Sequence, residues 1–267
     1  MTLLLLFCLL VAMSLFMTGA WLIERQTGQS GWIDTIWSFS TGIVGVAGAL
    51  IVVGNEGLLL RNFVVAAMVA IWSFRLGSHI ARRTLKSGGV DPRYSNLKKE
   101  WGDNAAMRLF LFLQSQAIAG FILVLAVYVA AHNPAPFPNI ADYIGIIVFA
   151  VAVLGEAVAD GQMREFGADP ANKGKVCDVG LWSISRHPNY FFEWLGWVAY
   201  PIIAISLTPD YLIGWLAILA PIQMYYLLVH VSGIPPLEAH MLKSRGDKFR
   251  DYQRRVSAFW PIPKAAK

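Results

Sequence analysis

Residues 180–197 read GLWSISRHPNYFFEWLGW, and they join a polar loop directly to an apolar run that is long enough to enter a membrane. Arg186, His187, Asn189 and Glu193 lie at this junction. Polar and ionisable groups at membrane depth are costly and are usually kept for a site. The junction is therefore the first place where we expect function.

The rest of the chain is too apolar for a soluble domain of its length. Of its 267 residues, 56% are hydrophobic and 15% are charged, and the mean hydropathy is +0.52. Runs of about 20 apolar residues cross a hydrocarbon core. Seven such runs are present, at 3–23, 33–53, 62–80, 107–131, 143–160, 190–207 and 211–231. We predict an all-α, polytopic membrane protein of seven transmembrane helices, with residues 1–267 in a single helical domain, because no linker or repeat divides the chain.

Lys and Arg residues are distributed unevenly among the connections. They gather in segments 81–108, 161–189 and 243–267, whereas segments 132–142 and 208–210 contain neither. The positive-inside rule then predicts that the three basic segments lie in the cytoplasm and the amino terminus lies outside. The +5 formal charge therefore indicates membrane topology, and we expect lipid as a partner but no nucleic acid and no obligatory protein partner.

Polar and aromatic residues within the predicted spans recur at spacings of three or four, which place them on one face of a helix. These pairs are Asp34 with Trp37, Trp72 with Arg75, Glu156 with Asp160, and Asn189 with Glu193. A shared cavity open to the cytoplasm would let such groups satisfy one another. The alternatives are that Asp34 and Arg75 reach the membrane interface and that the Trp rings form an interfacial belt.

The loop before the junction carries Arg164, Lys175 and Arg186, cationic side chains of the kind that grip phosphates. Lipid headgroups are the alternative ligand. The chain has neither a GxGxxG turn after a strand nor a P-loop, so a nucleotide would be held by side chains between helices. Without HxxxH, ExxH or CxxC spacing, we expect no metal site.

The run GLWSISRHPNYFFEWLGW, followed by a tail that contains FRDYQRRVSAFWPIPK, resembles the steroid 5α-reductase family and its bacterial members. The resemblance covers most of the chain and is most specific in the carboxyl half. It implies a bundle in the bacterial inner membrane that binds NADPH from the cytoplasmic side. It also implies reduction of the C4–C5 double bond of a 3-oxo-Δ4 steroid or a similar apolar enone.

The resemblance and the cationic loop together give the candidate cofactor-binding residues. They are Arg75, Glu156, Asp160, Arg164, Lys175, Arg186, His187, Asn189, Glu193, Glu238, His240 and Lys243. Lys175 stands where the family usually has arginine, and Glu156 stands where the mammalian members have asparagine. The tail is gapped relative to the family at the last three of these residues.

The same resemblance implies the catalytic residues. Asp34 stands where the family has a glutamate, and Trp72 roughly replaces its tyrosine partner. Hydride transfer to the β-carbon of an enone develops negative charge on the ketone oxygen, which aimed donors stabilise. We expect Asp34 to be protonated in its apolar setting and to donate to that oxygen, with Trp72 or Trp37 beside it.

Another enzyme class shares part of this pattern. RHPNY and a later basic tail also occur in isoprenylcysteine and phospholipid methyltransferases, which bind S-adenosylmethionine at a similar helical junction. Those enzymes usually have fewer spans and need no acid in the second one. We prefer the reductase interpretation to this one. A transporter is less favoured, because the polarity gathers on one side of the membrane and not at the midplane of paired repeats.

Overall fold

The computed structural model describes residues 2–52, 57, 59–205 and 209–262. Within these ranges all regular structure is helical and no strand occurs, so the prediction of an all-α fold is confirmed. The α-helices are α1 (Thr2–Thr27), α2 (Trp32–Leu50), α3 (Leu60–Lys86), α4 (Pro92–Trp101), α5 (Ala105–Ala131), α6 (Ile140–Ala168), α7 (Pro188–Ala204), α8 (Leu219–Tyr226), α9 (Ile234–Arg245) and α10 (Asp247–Arg255).

Six stretches of the described chain are long and apolar enough to cross a membrane. They are Thr2–Thr27, Trp32–Leu50, Leu60–Lys86, Pro92–Ala131, Ile140–Ala168 and Tyr211–Arg245. Six of the predicted spans coincide with or overlap these stretches, in keeping with an integral membrane protein. The second predicted span ends at Val53, which lies outside the described residues.

The remaining predicted span, 190–207, corresponds to α7, which is only 17 residues long. A helix of that length spans roughly 25 Å, less than the ~30 Å hydrocarbon core. Residues 206–208 lie outside the described part of the chain, as do the tail residues 263–267. The structure therefore supports six spans, while the seventh span and the orientation of the termini stay predictions.

The basic connection predicted at 81–108 is largely helical. Helix α3 continues to Lys86, and α4 begins at Pro92. Asp91 caps α4 by accepting a hydrogen bond of 2.8 Å from the backbone N–H of Arg93, and a proline at the first helical position needs no such partner. The capped helix α4 therefore presents Arg93 and Tyr94 in its first turn.

The chain divides into two compact units. Unit 1 comprises Met1–Asn139 and Ala204–Leu219, and unit 2 comprises Ile140–Ile203 and Ala220–Lys267. The single domain predicted over residues 1–267 stays a prediction.

Small residues bring helices α2 and α3 of unit 1 close together. A Cβ atom at Gly42 would lie 2.1 Å from the Oγ and 2.2 Å from the Cβ of Ser73. The Ser73 hydroxyl in turn donates a hydrogen bond of 2.9 Å to the carbonyl of Ser38. Close backbone approach through small residues is the usual packing of membrane helices, where the hydrophobic effect does not drive association.

A buried arginine and the asparagine that follows it bond to backbone carbonyls at the ends of helices in unit 1. The Arg61 side chain has no exposed surface, and Asn62 bonds at 2.9 Å to the carbonyl of Ala49 and at 3.1 Å to that of Ala131. Carbonyls beyond a helix end need partners of this kind. The guanidinium of Arg61 donates to the carbonyls of Asn133, Ala135 and Pro136.

Unit 2 is built on the antiparallel pair α6 and α7. A Cβ atom at Gly145 would lie 2.4 Å from the Ile203 side chain, and one at Gly155 would lie 2.4 Å from the Phe192 ring. The tail packs on the loop before α7, where the Tyr252 hydroxyl donates to the carbonyl of Trp182. An aromatic cluster completes this packing, formed by Phe191, Trp194, Tyr225, Phe259 and Trp260.

Replacement of Gly42 by alanine tests the close packing of α2 and α3. The new methyl group forces the two helices apart, so we expect Gly42→Ala to lower the free energy of unfolding by about 1–3 kcal/mol. Gly19→Ala is the matched control, since a Cβ atom there has no neighbour within 4 Å among the described residues. We expect this change to be neutral or to stabilise α1. Unfolding in detergent measures both variants, and equal stabilities would contradict the close approach.

Candidate functional site

The carboxylate of Asp34 receives two donors from the first turn of α4. Arg93 forms an ion pair with one carboxylate oxygen of Asp34, and the Tyr94 hydroxyl donates to the other at 2.7 Å. The Asp34 side chain keeps 21% of its surface exposed, so the carboxylate is accessible. Arg93 is shared with Asp91, to which it also bonds at 2.8 Å.

The charge state of Asp91 supports this arrangement of donors. Burial alone would raise the pKa of Asp91, but hydrogen bonds and charge from Arg93, with the charge of Arg83, lower it overall. Asp91 is thus an anion beside Arg93. The guanidinium of Arg93 lies between two carboxylates.

Tyr94 links three helices of unit 1. Its side chain is buried, and its hydroxyl accepts a hydrogen bond of 3.2 Å from Gln116 on α5 while it donates to Asp34 on α2. The indole N–H of Trp37 donates to the carbonyl of Gln116 at 2.9 Å. Asp34, Trp37, Tyr94 and Gln116 therefore form one hydrogen-bonded group, the unit 1 polar cluster.

This geometry gives Asp34 a phenol partner that we did not expect. The two carboxyl oxygens of Asp34 contact Arg93 and Tyr94, and the role of Asp34 as a hydrogen-bond donor stays a prediction. Trp72 is buried and packs edge-to-face on Trp37, with ring centroids 6.3 Å apart. Arg75 follows three residues later on α3 and is half-buried. The phenol beside Asp34 is Tyr94, and the catalytic roles of these residues stay predictions.

In unit 2, Arg186 is held by groups of the protein itself. Its Nε donates to Glu238 at 2.7 Å and its Nη2 donates to the other Glu238 oxygen at 3.2 Å. Its Nη1 bonds at 2.6 Å to the carbonyl of Val256 and at 3.2 Å to that of Gln253. Four hydrogen bonds to protein acceptors leave little of this guanidinium for the phosphate that we expected it to grip. Arg186 instead ties α9 and the tail to the junction.

His187 lies beside this ion pair and is almost fully buried. Its Nε2 lies 3.0 Å from Glu238 Oε1, and its ring stacks on Tyr190 at 5.4 Å. Burial lowers the pKa of His187 below its ordinary value, although the hydrogen bond and charge of Glu238 act in the opposite direction. The His187 Nδ1 atom has no hydrogen-bond partner in the part of the chain that the structure describes.

The polar pairs predicted on α6 and α7 belong to the same unit. Glu156 and Glu193 are buried, and the indole N–H of Trp197 donates to Glu193 at 3.2 Å. Asp160 and Asn189 are half-buried, each one turn from its partner. The Asn189 Oδ1 atom finds no hydrogen-bond donor among the described residues. The junction thus contains acceptors that suit a ligand rich in hydrogen-bond donors.

Four predicted cofactor residues lie on the surface of unit 2. Arg164, Lys175, His240 and Lys243 are exposed, and the Lys175 ammonium lies 3.5 Å from the Asn172 side-chain oxygen. Their positions suit contact with phosphates or lipid headgroups in water. They do not suit contact with a buried ring.

Sequence reasoning missed Tyr94, Arg93 and Gln253 as partners in these clusters. A signal existed for the first two, since an aspartate followed by a proline marks a helix start and places Arg93 and Tyr94 in its first turn. Gln253 bonds at 2.6 Å to Glu238, fifteen residues away in the chain. No sequence spacing indicated that contact.

The apolar helices and the buried polar clusters together are typical of an integral membrane protein with a candidate enzyme site. A family model described as a protein of unknown function (DUF1295) matches residues 20–256. The chain belongs to this family, which includes steroid 5α-reductase-like membrane proteins.

A fungal protein gives a second, shorter similarity. The probable O-methyltransferase ustE of Ustilaginoidea virens is 46% identical over 46 residues, which are 17% of this chain and 16% of that protein. The chain thus matches only a small part of this relative. No solved structure is significantly similar to the chain.

The buried state of His187 predicts a pH-dependent stability. Because its folded pKa is lowered, the unfolded chain takes up a proton first as the pH falls below about 6.5, the ordinary histidine value. Neutral, buried His187 makes its full contribution to stability above that pH. The contribution is lost as the pH falls toward the pKa that His187 has in the folded protein. Between pH 7.5 and 5.5 we expect wild type to lose more stability than His187→Gln, by up to roughly 1.4 kcal/mol per pH unit.

Thermal unfolding in detergent at several pH values measures this difference. His240→Gln, at an exposed histidine, is the matched control and is expected to keep the wild-type pH dependence. Parallel profiles for wild type and His187→Gln would contradict the assignment of a neutral, buried His187.

Proposed function

We propose that this protein is an NADPH-dependent reductase of a lipid-like enone such as a 3-oxo-Δ4 steroid. The observation that carries the proposal is the hydrogen bond of 2.7 Å from Tyr94 to Asp34 in an apolar helical unit. This hydrogen bond supplies the pair of an acid and a tyrosine that the resemblance requires. In the sequence, Trp72 stood in the place of that tyrosine. Membership of a family that includes steroid 5α-reductase-like proteins supports the same activity.

The donors of the unit 1 polar cluster, together with Arg93, suit a carbonyl oxygen that gains negative charge. Arg93 and Tyr94 both point at the Asp34 carboxylate, which holds them in place. In the proposed reaction, the substrate oxygen takes one of these hydrogen bonds. Preorganised donors of this kind stabilise developing charge more strongly than water does. Asp34 therefore acts by orienting the donors, and solvent protonates the α-carbon.

The residues of unit 2 fit the cofactor by their hydrogen-bonding character. NADPH carries hydroxyl and amide donors and supplies a hydride when it is bound. His187 Nδ1 and Asn189 Oδ1 are acceptors that face no donor from the described protein. Glu156, Asp160 and Glu193 add carboxylates nearby in the chain, and the exposed Arg164, Lys175, His240 and Lys243 would meet the phosphates. We retain Arg75 as a further cofactor candidate.

We also propose the cellular setting implied by the basic segments. The enzyme lies in the inner membrane of a bacterium, and its cofactor site faces the cytoplasm, where NADPH is available. An apolar substrate reaches the protein from the lipid, so no protein partner is required. The exposed apolar side chains of helices such as α1, α3 and α6 suit contact with lipid.

S-adenosylmethionine-dependent methyl transfer is the second candidate function. The short similarity to a probable O-methyltransferase favours it, and that cofactor also carries amino and hydroxyl donors that His187 and Asn189 could accept. Methyl transfer gives no role to a phenol paired with a carboxylate in unit 1. The unit 1 polar cluster is therefore the feature that favours reduction.

Cofactor binding separates the two functions. A ligand of the native state raises stability by mass action, by about 2.7 kcal/mol at a concentration one hundred times its dissociation constant. We expect NADPH to raise the unfolding temperature of the detergent-solubilised protein, with a smaller effect of NADH. Stabilisation by S-adenosylmethionine alone would contradict the proposed reduction and favour methyl transfer.

Substitution of Tyr94 tests the proposed donors. Tyr94→Phe keeps the ring and removes the hydroxyl, so we expect turnover of testosterone or progesterone to fall about 10²- to 10³-fold. NADPH is expected to stabilise the variant as it does wild type. Asp34→Asn tests the orienting carboxylate in the same assay. Tyr143→Phe, at an exposed tyrosine of α6, is the matched control. Normal turnover in Tyr94→Phe would remove this residue from the mechanism.

A further inference from the structure

Glu238 is surrounded by donors on both of its oxygens. One oxygen accepts from Arg186 at 2.7 Å and contacts His187 Nε2 at 3.0 Å. The other accepts from Arg186 at 3.2 Å and from Gln253 at 2.6 Å. A carboxylate fixed in this way on α9 is a rigid acceptor. It determines which nitrogen of the neighbouring imidazole carries the proton.

The contacts of His187 leave one nitrogen as an open acceptor. A neutral imidazole has one N–H and one lone pair, and the carboxylate of Glu238 takes the N–H at Nε2. The lone pair then lies on Nδ1, which is buried and receives no donor from the described residues. Among the described residues, Glu238 contacts the ring, Tyr190 stacks on it, and the charge of Arg186 acts on it. A buried acceptor without a partner is unusual in a folded protein.

We infer that His187 Nδ1 is a binding subsite that accepts a hydrogen bond from a hydroxyl or N–H group of the cofactor, and that Glu238 is the positioning residue that fixes it. This inference rests on the proposed function for the identity of the cofactor. It changes the role of the RHPNY junction, because the phosphate contact that we predicted for Arg186 is replaced by recognition of a hydrogen-bond donor at His187.

The electrostatics of the subsite define its selectivity. A lone pair repels a phosphate oxygen but attracts a ribose hydroxyl or a carboxamide N–H. A ligand that lacks the matching donor leaves Nδ1 buried without a partner. Such a mismatch weakens binding by roughly 5- to 100-fold. The exposed Lys175 and Arg164 remain the groups suited to phosphate.

The tautomer of His187 can be measured directly. The full chain contains five histidines, so ¹⁵N-histidine labelling in detergent gives a small set of ring resonances, and His187→Gln identifies those of His187. We expect His187 without cofactor to be neutral and protonated at Nε2. Protonation at Nδ1 would overturn the inference.

Two substitutions of Glu238 separate positioning from general stability. Glu238→Gln keeps an oxygen that can accept from Nε2, so we expect the same tautomer and NADPH affinity within a few fold of wild type. Glu238→Ala removes the acceptor, so we expect mixed tautomers and NADPH affinity roughly 5- to 100-fold lower. A wild-type tautomer and affinity in a folded Glu238→Ala protein would overturn the positioning role. If Glu238→Ala does not fold, the tautomer measured in the wild-type protein is the test of the inference.

Addition of cofactor completes the test. When NADPH binds, we expect the Nδ1 resonance of His187 to move as the atom accepts a hydrogen bond, and a parallel titration uses S-adenosylmethionine. Stabilisation by either cofactor without a shift of Nδ1 would overturn the subsite while leaving the corresponding activity intact. Stabilisation by neither would overturn the proposed function and its alternative as well as the subsite. The two failures are therefore distinguishable.

Discussion

Polar groups in a bilayer must find their partners within the protein, and this constraint governs the described structure. Each backbone or side-chain group that lacks a hydrogen-bond partner in hydrocarbon costs several kcal/mol of stability. Arg61 meets the requirement by donating to three carbonyls beyond a helix end. Asp34 meets it with Arg93 and Tyr94, and Glu238 meets it with four donors. Each of these contacts also joins a helix to a segment that is distant in the chain.

The same constraint applies to the hydrogen-bond acceptors of the junction that receive no donor from the described residues. The Nδ1 atom of a neutral His187 receives no donor from the described residues, and the ring lies next to an ion pair in which both Glu238 oxygens accept hydrogen bonds. Arg186, Glu238 and Gln253 bond to one another, and Arg186 also bonds to carbonyls of the tail, so groups of the protein hold this arrangement together. The junction thus has a rigid frame and an incomplete inner surface, which is the usual form of a preorganised binding site.

The sequence predicts most of the fold, because the length of an apolar run is a local property. The spans at 3–23, 62–80 and 143–160 coincide with helices α1, α3 and α6. The contacts of the site are less accessible, since they depend on helix rotation and on pairing across long separations. Asp34 and Tyr94 are 60 residues apart, and only the fold shows that the first turn of α4 meets Asp34. Asn189 and Glu193 were predictable as a pair because a single helical turn joins them.

Reductases and methyltransferases that share an RHPNY junction must differ elsewhere, and we propose that this chain carries the difference in unit 1. A methyl donor contains its own electrophile, so transfer requires a nucleophile and a bound cofactor. Reduction of an enone also requires stabilisation of a new oxyanion, and only donors that are already oriented can provide it in an apolar medium. Tyr94 is buried, is oriented by Asp34 and Gln116, and lies in a unit otherwise dominated by apolar packing. A phenol restrained in this way has no evident role in methyl transfer, whereas it has the chemistry that reduction needs.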